Sequence, residues 1–539
     1  MLSGKIPIDK VREFNTQKIV IGGFVEHVRK LKNIAFVIVR DCTSSIQVVF
    51  PKDKLIPLSK ESVVFIEGVA SKKRGEENYE IFGESIQVLS RAEKAIPIDL
   101  GEEKVSEERH RMKYRYLDLR RKKIKNSIVF NSRAKFIASS FLHSLDFIEI
   151  TTPILSFPSK EGAQTFSTLP NSVSPSSFTL AQSPQMYKQL LMIGGFEKYF
   201  QFSTSFRAEK LREDRQFEFT QLDIELSFSA RKEIFELIEN LINKICSELL
   251  PKVAIPKNFS VITYRDAIWK YGTDSPDLRN PIEIFELYEK VGDSLKSGEY
   301  CFCILLDNSY QLTSEFFAKL DSNINWIQTN DKGKREGNYE EWILSYLNKL
   351  NFSRDKTLLY LASDDKNYIS QLRKLGELRK VIWEQSAVFT MSRELKFVWI
   401  VEWPYFELSD TKELKVMHHP FTLPNIPEEV KEDHLKWNSC GYDLVLNGVE
   451  IASGGERITD RNLQKRIFQL LGLTDVQIQE NFGWFLEALQ YGVPPHLGIA
   501  IGWERFIQTI LHLSSIRDVI AFPKNSHGVC SMSSYKPVN

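Results

Sequence analysis

The sequence has no apolar run approaching the roughly 18–20 residues that a helix needs to cross a bilayer, so no membrane association is expected. Its opening stretch, MLSGKIPIDKVREF, lacks the apolar core of a secretory leader and carries acidic residues at once, unlike a transit peptide. A cytoplasmic location is the expectation. Cysteine is sparse: Cys42, Cys246, Cys301, Cys303, Cys440 and Cys530 are scattered through 539 residues and form no CxxC array. That argues against a disulfide framework. Cys301 and Cys303 alternate within CFCILL, a strand pattern rather than a thiolate clip, so zinc is not expected. A surplus of either charge is also missing, with 71 basic against 70 acidic residues and a net charge of +1. A nucleic-acid partner would therefore have to be held by locally segregated basic patches. One candidate is RHRMKYRYLDLRRKKIK at 109–125, which reads equally as a solvated helix face. Internal repeats, low-complexity tracts and a nucleophilic serine or cysteine motif are absent.

The chain is too long for one hydrophobic core, and its composition shifts divide it. Residues 18–90 hold five short runs rich in Val, Ile and Phe, KIVIGGFVEHVRKL, IAFVIVRD, SIQVVF, SVVFIEGVAS and NYEIFGESIQVLS, separated by turn residues. This pattern predicts a small closed barrel of the OB type over 1–95, a fold that commonly binds single-stranded nucleic acid. Residues 96–125 are dense in charge and read as a hinge. An amphipathic helix is predicted over 126–145, with Ile128, Phe130, Ala134, Ile137 and Phe141 near one face, followed by the strand FIEITTPIL, which ends at Pro153. A helix after Ser183, two strands and a helix over 231–250 complete a segment 126–275. Residues 276–395 differ in texture and read as an inserted α/β domain. Strand and helix patterns return over 396–539. The fold class expected is α+β and multidomain.

Three segments form a constellation: the helix leading into FIEITTPIL, the stretch FRAEKLREDRQFEFTQLDIE with Arg207, Glu209, Arg215 and Phe219, and GIAIGWERF with Arg505 opening a helix. A lone FRxE is more often a surface ion pair, but the three together, in this order, resemble the class II aminoacyl-tRNA synthetases. The resemblance implies an antiparallel catalytic sheet flanked by helices, built from 126–275 and 396–539, and a homodimer. It also implies activation of an amino acid by in-line attack on the α-phosphate of ATP, where positioned cations do most of the work. Planar, permanently charged guanidinium groups suit such contacts. By this resemblance Arg207 and Arg505 are the catalytic cations, Arg207 bridging the α-phosphate and the amino-acid carboxylate and Arg505 holding the γ-phosphate. Phe219 stacks on adenine with Glu209 near its amino group, and Gln216, Gly502, Trp503 and Glu504 surround the nucleotide. Asp443 and Glu450, in GYDLVLNGVE, carry Mg²⁺; otherwise they are the exposed alternate residues of a strand.

The segment QSPQMYKQ at 182–189 resembles the aspartyl branch of the family. Lys188 and Arg457 would place two cations against a substrate whose side chain is a carboxylate, a charge costly to bury unpaired. Glu161, Ser183, Gln185 and Asp223 would contact its ammonium group. His418 and His419, in MHHPFT, match a loop that closes over aspartate, and partial protonation near neutrality implies a pH-dependent contact. The resemblance spans nearly the whole chain. It makes the barrel an anticodon-binding domain for tRNA, with Arg29, Phe36, Gln47 and Glu80 at the reading positions, and 276–395 the insertion of bacterial-type enzymes. Phe36 has two readings, a platform for an RNA base or a barrel core residue. Three departures stand out: Trp503–Glu504 before Arg505, where the pattern has an apolar residue and Asp; the glycine-rich segment ASGGER, which differs from the family pattern but keeps Arg457; and Ala208 after Arg207. Altered packing rather than lost activity is expected. Whether the aspartate tRNA alone or also the asparagine tRNA is charged stays open.

Overall fold

The computed structural model describes residues 4–533 apart from 74–77, 102–103, 157–163, 171–176, 288–298, 308–309, 311, 331, 333, 340–341, 348–351, 353–354, 365–367, 387–388, 390–391, 410 and 526. The chain falls into two compact units, Met1–Arg121 and Lys122–Asn539.

In the first unit the five apolar runs form β1 (Lys18–Lys30), β2 (Ile34–Arg40), β3 (Ser45–Pro51), β4 (Val63–Lys72) and β5 (Tyr79–Ser90). They close into a barrel in the order β1-β2-β3-β5-β4. Period-two alternation decides which side chains enter it. Val37, Val39, Val48, Phe50, Ile66 and Ile81 are buried inside, and the residues between them point outward. Two short helices, Glu108–Lys113 and Arg115–Asp118, follow. They change the reading of the basic run. Arg111 Nε donates to Asp118 Oδ1 at 2.9 Å, Arg115 Nη1 to Asp118 Oδ2 at 2.5 Å, and Arg121 lies 3.5 Å from the same carboxylate. Arg120 pairs with Glu61 at 2.9 Å and covers the ring of Phe24. Four of the arginines at 109–125 thus brace this unit internally, and their charge is not free to form a nucleic-acid patch.

In the second unit the predicted helix is α1 (Lys122–His143). Its buried face runs through Ser127, Ala134, Ile137, Ala138 and Leu142, with Phe130 and Phe141 half-buried against the same core. The small residues face inward because α1 packs closely on α3. FIEITTPIL gives only a two-residue strand, β6 (Ile148–Glu149). Next come α2 (Gln185–Ile193), β7 (Lys198–Phe206), β8 (Glu218–Ser227), α3 (Arg231–Leu249) and β9 (Ser260–Thr263). The segment of different texture folds as a second, five-stranded sheet: β10 (Ile284–Glu286), β11 (Glu299–Asp307), β12 (Asn325–Thr329), β13 (Arg335–Asn338) and β14 (Lys356–Asp364), in the order β10-β11-β14-β12-β13. It is followed by α4 (Tyr368–Glu384). The chain then returns through β15 (Phe397–Val401), β16 (Gly441–Leu446), β17 (Val449–Glu456), β18 (His496–Gly502) and α5 (Trp503–Ile510).

The main sheet has eight strands in the order β9-β15-β16-β17-β18-β8-β7-β6. It is antiparallel except where β9 meets β15 and β6 meets β7. Alternation gives it two unlike faces. Leu222, Ile224 and Leu226 on β8, Tyr442 and Leu444 on β16, and Ile499 and Ile501 on β18 join one apolar core with α1, α3 and α5. The residues between them, Gln221, Asp223, Glu225 and Asp443, are buried polar groups on the opposite face. The five-stranded sheet is not a detached body. Phe302, Ile304, Leu359 and Leu361 pack with Leu372 and Leu375 of α4 and with Val398 and Ile400 of β15 in one continuous cluster. This shared core brings α4 to the rim of the polar face.

Candidate active site

A cavity of about 680 Å³ opens on that polar face. Its walls come from α2, β8 and the loop that leads into it, β16–β18, the His418–His419 loop, and Arg373 of α4. Seventeen of the residues singled out in the sequence line it, so segments more than 300 positions apart converge as the resemblance implies. Glu161 lies outside the described residues.

The deepest part is a quartet of buried charges. Lys188, 1 % exposed, places Nζ 3.1 Å from Asp223 Oδ1 and 3.3 Å from Glu225 Oε2. Arg457 donates from Nε and Nη2 to the two oxygens of Glu225 at 2.9 and 3.3 Å. Asp223 accepts in addition from Ser203 Oγ at 2.6 Å. Two cations and two anions balance. Burial alone would push Glu225 up, but Arg457 and Lys188 outweigh it and hold the carboxyl down at about 2. The close approach of β18 depends on a missing side chain, since a Cβ at Gly498 would overlap the Glu225 carboxylate. Glu225 was not singled out from the sequence. Its cue was there: two carboxylates at i and i+2 in the apolar strand QLDIELS share one face.

Valence is left over in this quartet. Arg457 has five N–H donors and Lys188 three, and the internal pairs use only part of them. Close by, Gln185 Nε2 and His419 Nδ1 are buried with no hydrogen-bond partner among the described residues, as suits a site that takes a polar ligand. Burial and then the neighbouring Arg457 and Lys188 push His419 down to about 3. His418 falls to about 4, chiefly through burial, partly countered by Glu450. Its Nδ1 lies 3.6 Å from Asp443 Oδ1, and its ring meets Trp403 edge-on. Both imidazoles are therefore neutral near pH 7, against the expectation of partial protonation: burial penalises the charged form of each, and for His419 the neighbouring cations add to the effect.

Toward the mouth the groups are cationic and aromatic. The Arg207 guanidinium lies over the Phe219 ring at 5.2 Å. Arg505 donates from Nη1 to the Glu450 carbonyl at 3.1 Å and holds Asp214 at 3.4 Å. Arg215 pairs with Glu209 at 2.8 Å. Gln216 lines the cavity, but its amide donates to the carbonyls of Arg215 and Lys524 and accepts from the Lys524 N–H, so it braces the loop to the C-terminal segment. Gly502 and Glu504 also line the wall, and Glu504 accepts from the Thr220 N–H at 2.8 Å. Trp503 points the other way. Its indole N–H donates to Asn131 Oδ1 at 2.7 Å, and its ring packs on Phe202 within the core, because the first residue of α5 follows the inward side of β18. Asp274 and Arg373, 3.8 Å apart, close one side. They come from around and within the inserted segment, where no sequence pattern tied them to the site.

Asp443 and Glu450 are neighbours on β16 and β17. Burial pushes each up to about 7, and for Glu450 the Asp443 charge adds to the effect. Glu450 is open to the cavity yet enclosed by protein on its other sides. Asp443 Oδ1 has no hydrogen-bond donor among the described residues. Two desolvated carboxylates that repel one another fit a cation between them. Among the described residues no group of three or more such ligands converges.

The barrel also places its four expected residues together. Phe36 on β2 points outward, half-buried, beside Arg29 on β1, which decides against the core reading. Gln47 on β3 donates to Glu80 on β5 at 2.9 Å on the same outer face.

Comparison with known proteins agrees with this geometry. Residues 107–526 match the family of class II tRNA synthetases for D, K and N, and residues 19–89 match the OB-fold nucleic acid binding domain. An aspartate–tRNA ligase of Pseudothermotoga lettingae is 34% identical, over 96% of this chain and 93% of that protein. An aspartate–tRNA(Asp/Asn) ligase of Thermotoga maritima is 35% identical, over 96% and 94%. The fold is shared with asparaginyl-tRNA synthetase from Pyrococcus horikoshii, solved with asparaginyl-adenylate, at a TM-score of 0.63 and 19% identity, covering 97% of this chain and 98% of that one. The chain is a member of the class II tRNA synthetases, in the group of the aspartate, lysine and asparagine enzymes, and within that group it belongs with the aspartate–tRNA ligases.

Proposed function

We propose that the cavity joins L-aspartate to the 3′ end of a tRNA in two steps, through an aspartyl-adenylate. The observation that carries this reading is the buried quartet. Aspartate brings one positive and two negative groups. Its side-chain carboxylate fits the unused N–H donors of Lys188 and Arg457, its ammonium group fits Asp223, Ser183 and Gln185, and its α-carboxylate meets Arg207. Asparagine would leave the two buried cations without an added anion, and lysine would bring a third positive charge to them. The pocket supports aspartate on charge alone.

In the first step the α-carboxylate oxygen attacks the α-phosphorus of ATP and pyrophosphate leaves. Arg207 sits where it can touch both reacting groups, so it aligns them and spreads the developing charge. Arg505 takes the γ-phosphate, exchanging its contact with Asp214 for one with a more highly charged partner. Adenine stacks on the Phe219 ring, with Glu209 released from Arg215 to accept from the exocyclic amine. Asp443 and Glu450 would hold Mg²⁺, which neutralises charge on the phosphate oxygens when bound. In the second step a ribose hydroxyl at the 3′ end attacks the adenylate carbonyl and AMP departs. No covalent enzyme intermediate is needed. The Thermotoga maritima relative is named for both the aspartate and the asparagine tRNA, so a wider tRNA range is the alternative reading.

The working unit is read as a homodimer. Phe136, 72 % exposed, and Val129 lie seven residues apart on one face of α1, and β6 with exposed Ile148 is the edge strand of the eight-stranded sheet. Ile154 and Leu155 extend the same apolar chain segment. A second copy would cover this edge and face. A cytoplasmic setting suits an enzyme that uses ATP and tRNA; no described helix is long and apolar enough to cross a membrane.

Pyrophosphate exchange with each amino acid alone should proceed with aspartate and not with asparagine or lysine. Exchange with either of the latter would overturn the reading of Lys188 and Arg457. Charging assays with purified aspartate and asparagine tRNAs then separate the two tRNA ranges. Because both histidines stay neutral well below pH 6, the KM for aspartate at saturating Mg²⁺ and ATP should be flat from pH 6 to 8. An inflection near the ordinary histidine value of about 6.5 would contradict their assignment. Light scattering of the intact protein should give twice the 62.5 kDa of one chain, and Phe136→Arg should shift it toward the single-chain mass. A monomeric parent would rule the dimer out.

A further inference from the structure

The outer face of the barrel carries an aromatic residue that the four expected positions do not include. Following the ladder across the strands, Arg29 pairs with Phe36, Phe36 with Val49, and Val49 with Phe82. The adjacent row runs from Ile38 to Gln47 to Glu80. Val37, Val48 and Ile81, between these positions, are buried inside the barrel, so both rows point outward by alternation. Phe82 is 49 % exposed in the middle of β5. A single exposed apolar side chain needs no explanation. Phe82 is set apart by its place, in the same row as Phe36 and next to the Gln47–Glu80 pair. Two strand spacings of about 4.8 Å separate the two phenylalanines, with Val49 between them, a gap of roughly 10 Å. The backbone under Phe82 cannot shift inward, because its neighbour Gly83 lies against the Phe50 ring and even a Cβ there would overlap it.

We propose that Phe82 is a second base platform on this face, taking an unpaired base of single-stranded RNA next to the base that stacks on Phe36. The inference rests on the reading of the barrel as the tRNA-binding module. Aromatic faces spaced along a sheet, with polar groups beside them to meet base edges, are the physical requirements for binding splayed single-stranded RNA. Arg29 adds a cation for the backbone at one end of the row, and the Gln47 and Glu80 side chains offer a donor and acceptors between the two rings. The match of residues 19–89 to an OB-fold nucleic acid binding domain favours a nucleic-acid occupant over a protein one.

The test uses the full-length enzyme and the cognate tRNA transcript. Phe82→Leu keeps an apolar side chain but removes the ring, and Phe82→Tyr keeps the ring. Phe36→Leu reports on the face as a whole. Aspartate-dependent pyrophosphate exchange, which needs no tRNA, measures the amount of active enzyme in each preparation. Phe82→Leu should raise the KM for tRNA about tenfold, the loss expected for one stacked base, and Phe82→Tyr should stay near the parent. A KM unchanged in Phe82→Leu but raised in Phe36→Leu would overturn the second platform and leave the RNA face standing. Unchanged values in both would overturn the reading of the face as well. Equal rises in Phe82→Leu and Phe82→Tyr would show that stacking is not what Phe82 contributes.

Discussion

Everything in the active cavity is arranged around one carboxylate. Glu225 lies fully buried between Lys188 and Arg457. Without it, Arg457 would stand unpaired in the interior at a cost of several kcal/mol, and Lys188 would keep only Asp223. With it, both are fixed in place and still have N–H groups to spare. The demands of this arrangement reach well beyond the pocket. The strand carrying Glu225 must alternate apolar and polar residues, so that the opposite side of β8 joins the core. The neighbouring strand must carry glycine where it passes the carboxylate. The histidines above must remain neutral. Substrate recognition and sheet architecture are thus set by the same alternation.

How far this was readable in advance depends on the range of the interaction. The barrel was legible because a closed five-stranded sheet leaves a period-two imprint on each run, and the ends of the five strands fall within a residue or two of the apolar runs. The charged and aromatic residues of FRAEKLREDRQFEF and GIAIGWERF were legible because they stand out against strand and helix patterns. Glu225 was passed over although it repeats the cue of Asp223 two positions earlier. The α1 face was partly legible: Ala134 and Ile137 are buried as the pattern indicates, but close packing against α3 also buries the small residues Ser127 and Ala138, which apolar periodicity does not pick out. Asp274 and Arg373 could not be found, because only the core shared between the two sheets of the second unit brings them to the cavity. The basic run at 109–125 shows the opposite case: a conspicuous charge pattern whose arginines turn inward onto Asp118 and Glu61.

The departures from the family pattern resolve in the same physical language. Trp503 fills core space and finds Asn131 as a partner for its indole N–H, as a buried tryptophan requires. Glu504 uses its extra methylene to reach the Thr220 N–H across the cavity floor. Neither change touches the quartet or the two arginines at the mouth. The nucleotide end of the cavity differs in kind from the amino-acid end. There the cations Arg505 and Arg215 hold carboxylates of the connecting loop, contacts that ATP would displace under the proposed function. At the other end the ion pairs are buried, and under the same proposal the amino acid would join them.

The claim that Glu225 sets both the position and the balance of the two cations is tested most directly by Glu225→Gln. Pyrophosphate exchange would be followed as kcat/KM for aspartate and for asparagine, in the parent and the variant. The expected result is a loss of roughly 100-fold or more for aspartate, in line with about 3–5 kcal/mol for breaking a buried ion pair, and a collapse of the preference over asparagine. A variant that keeps both the rate with aspartate and the parent's discrimination would contradict the account, because Lys188 and Arg457 would then be shown to hold their places without the buried carboxylate.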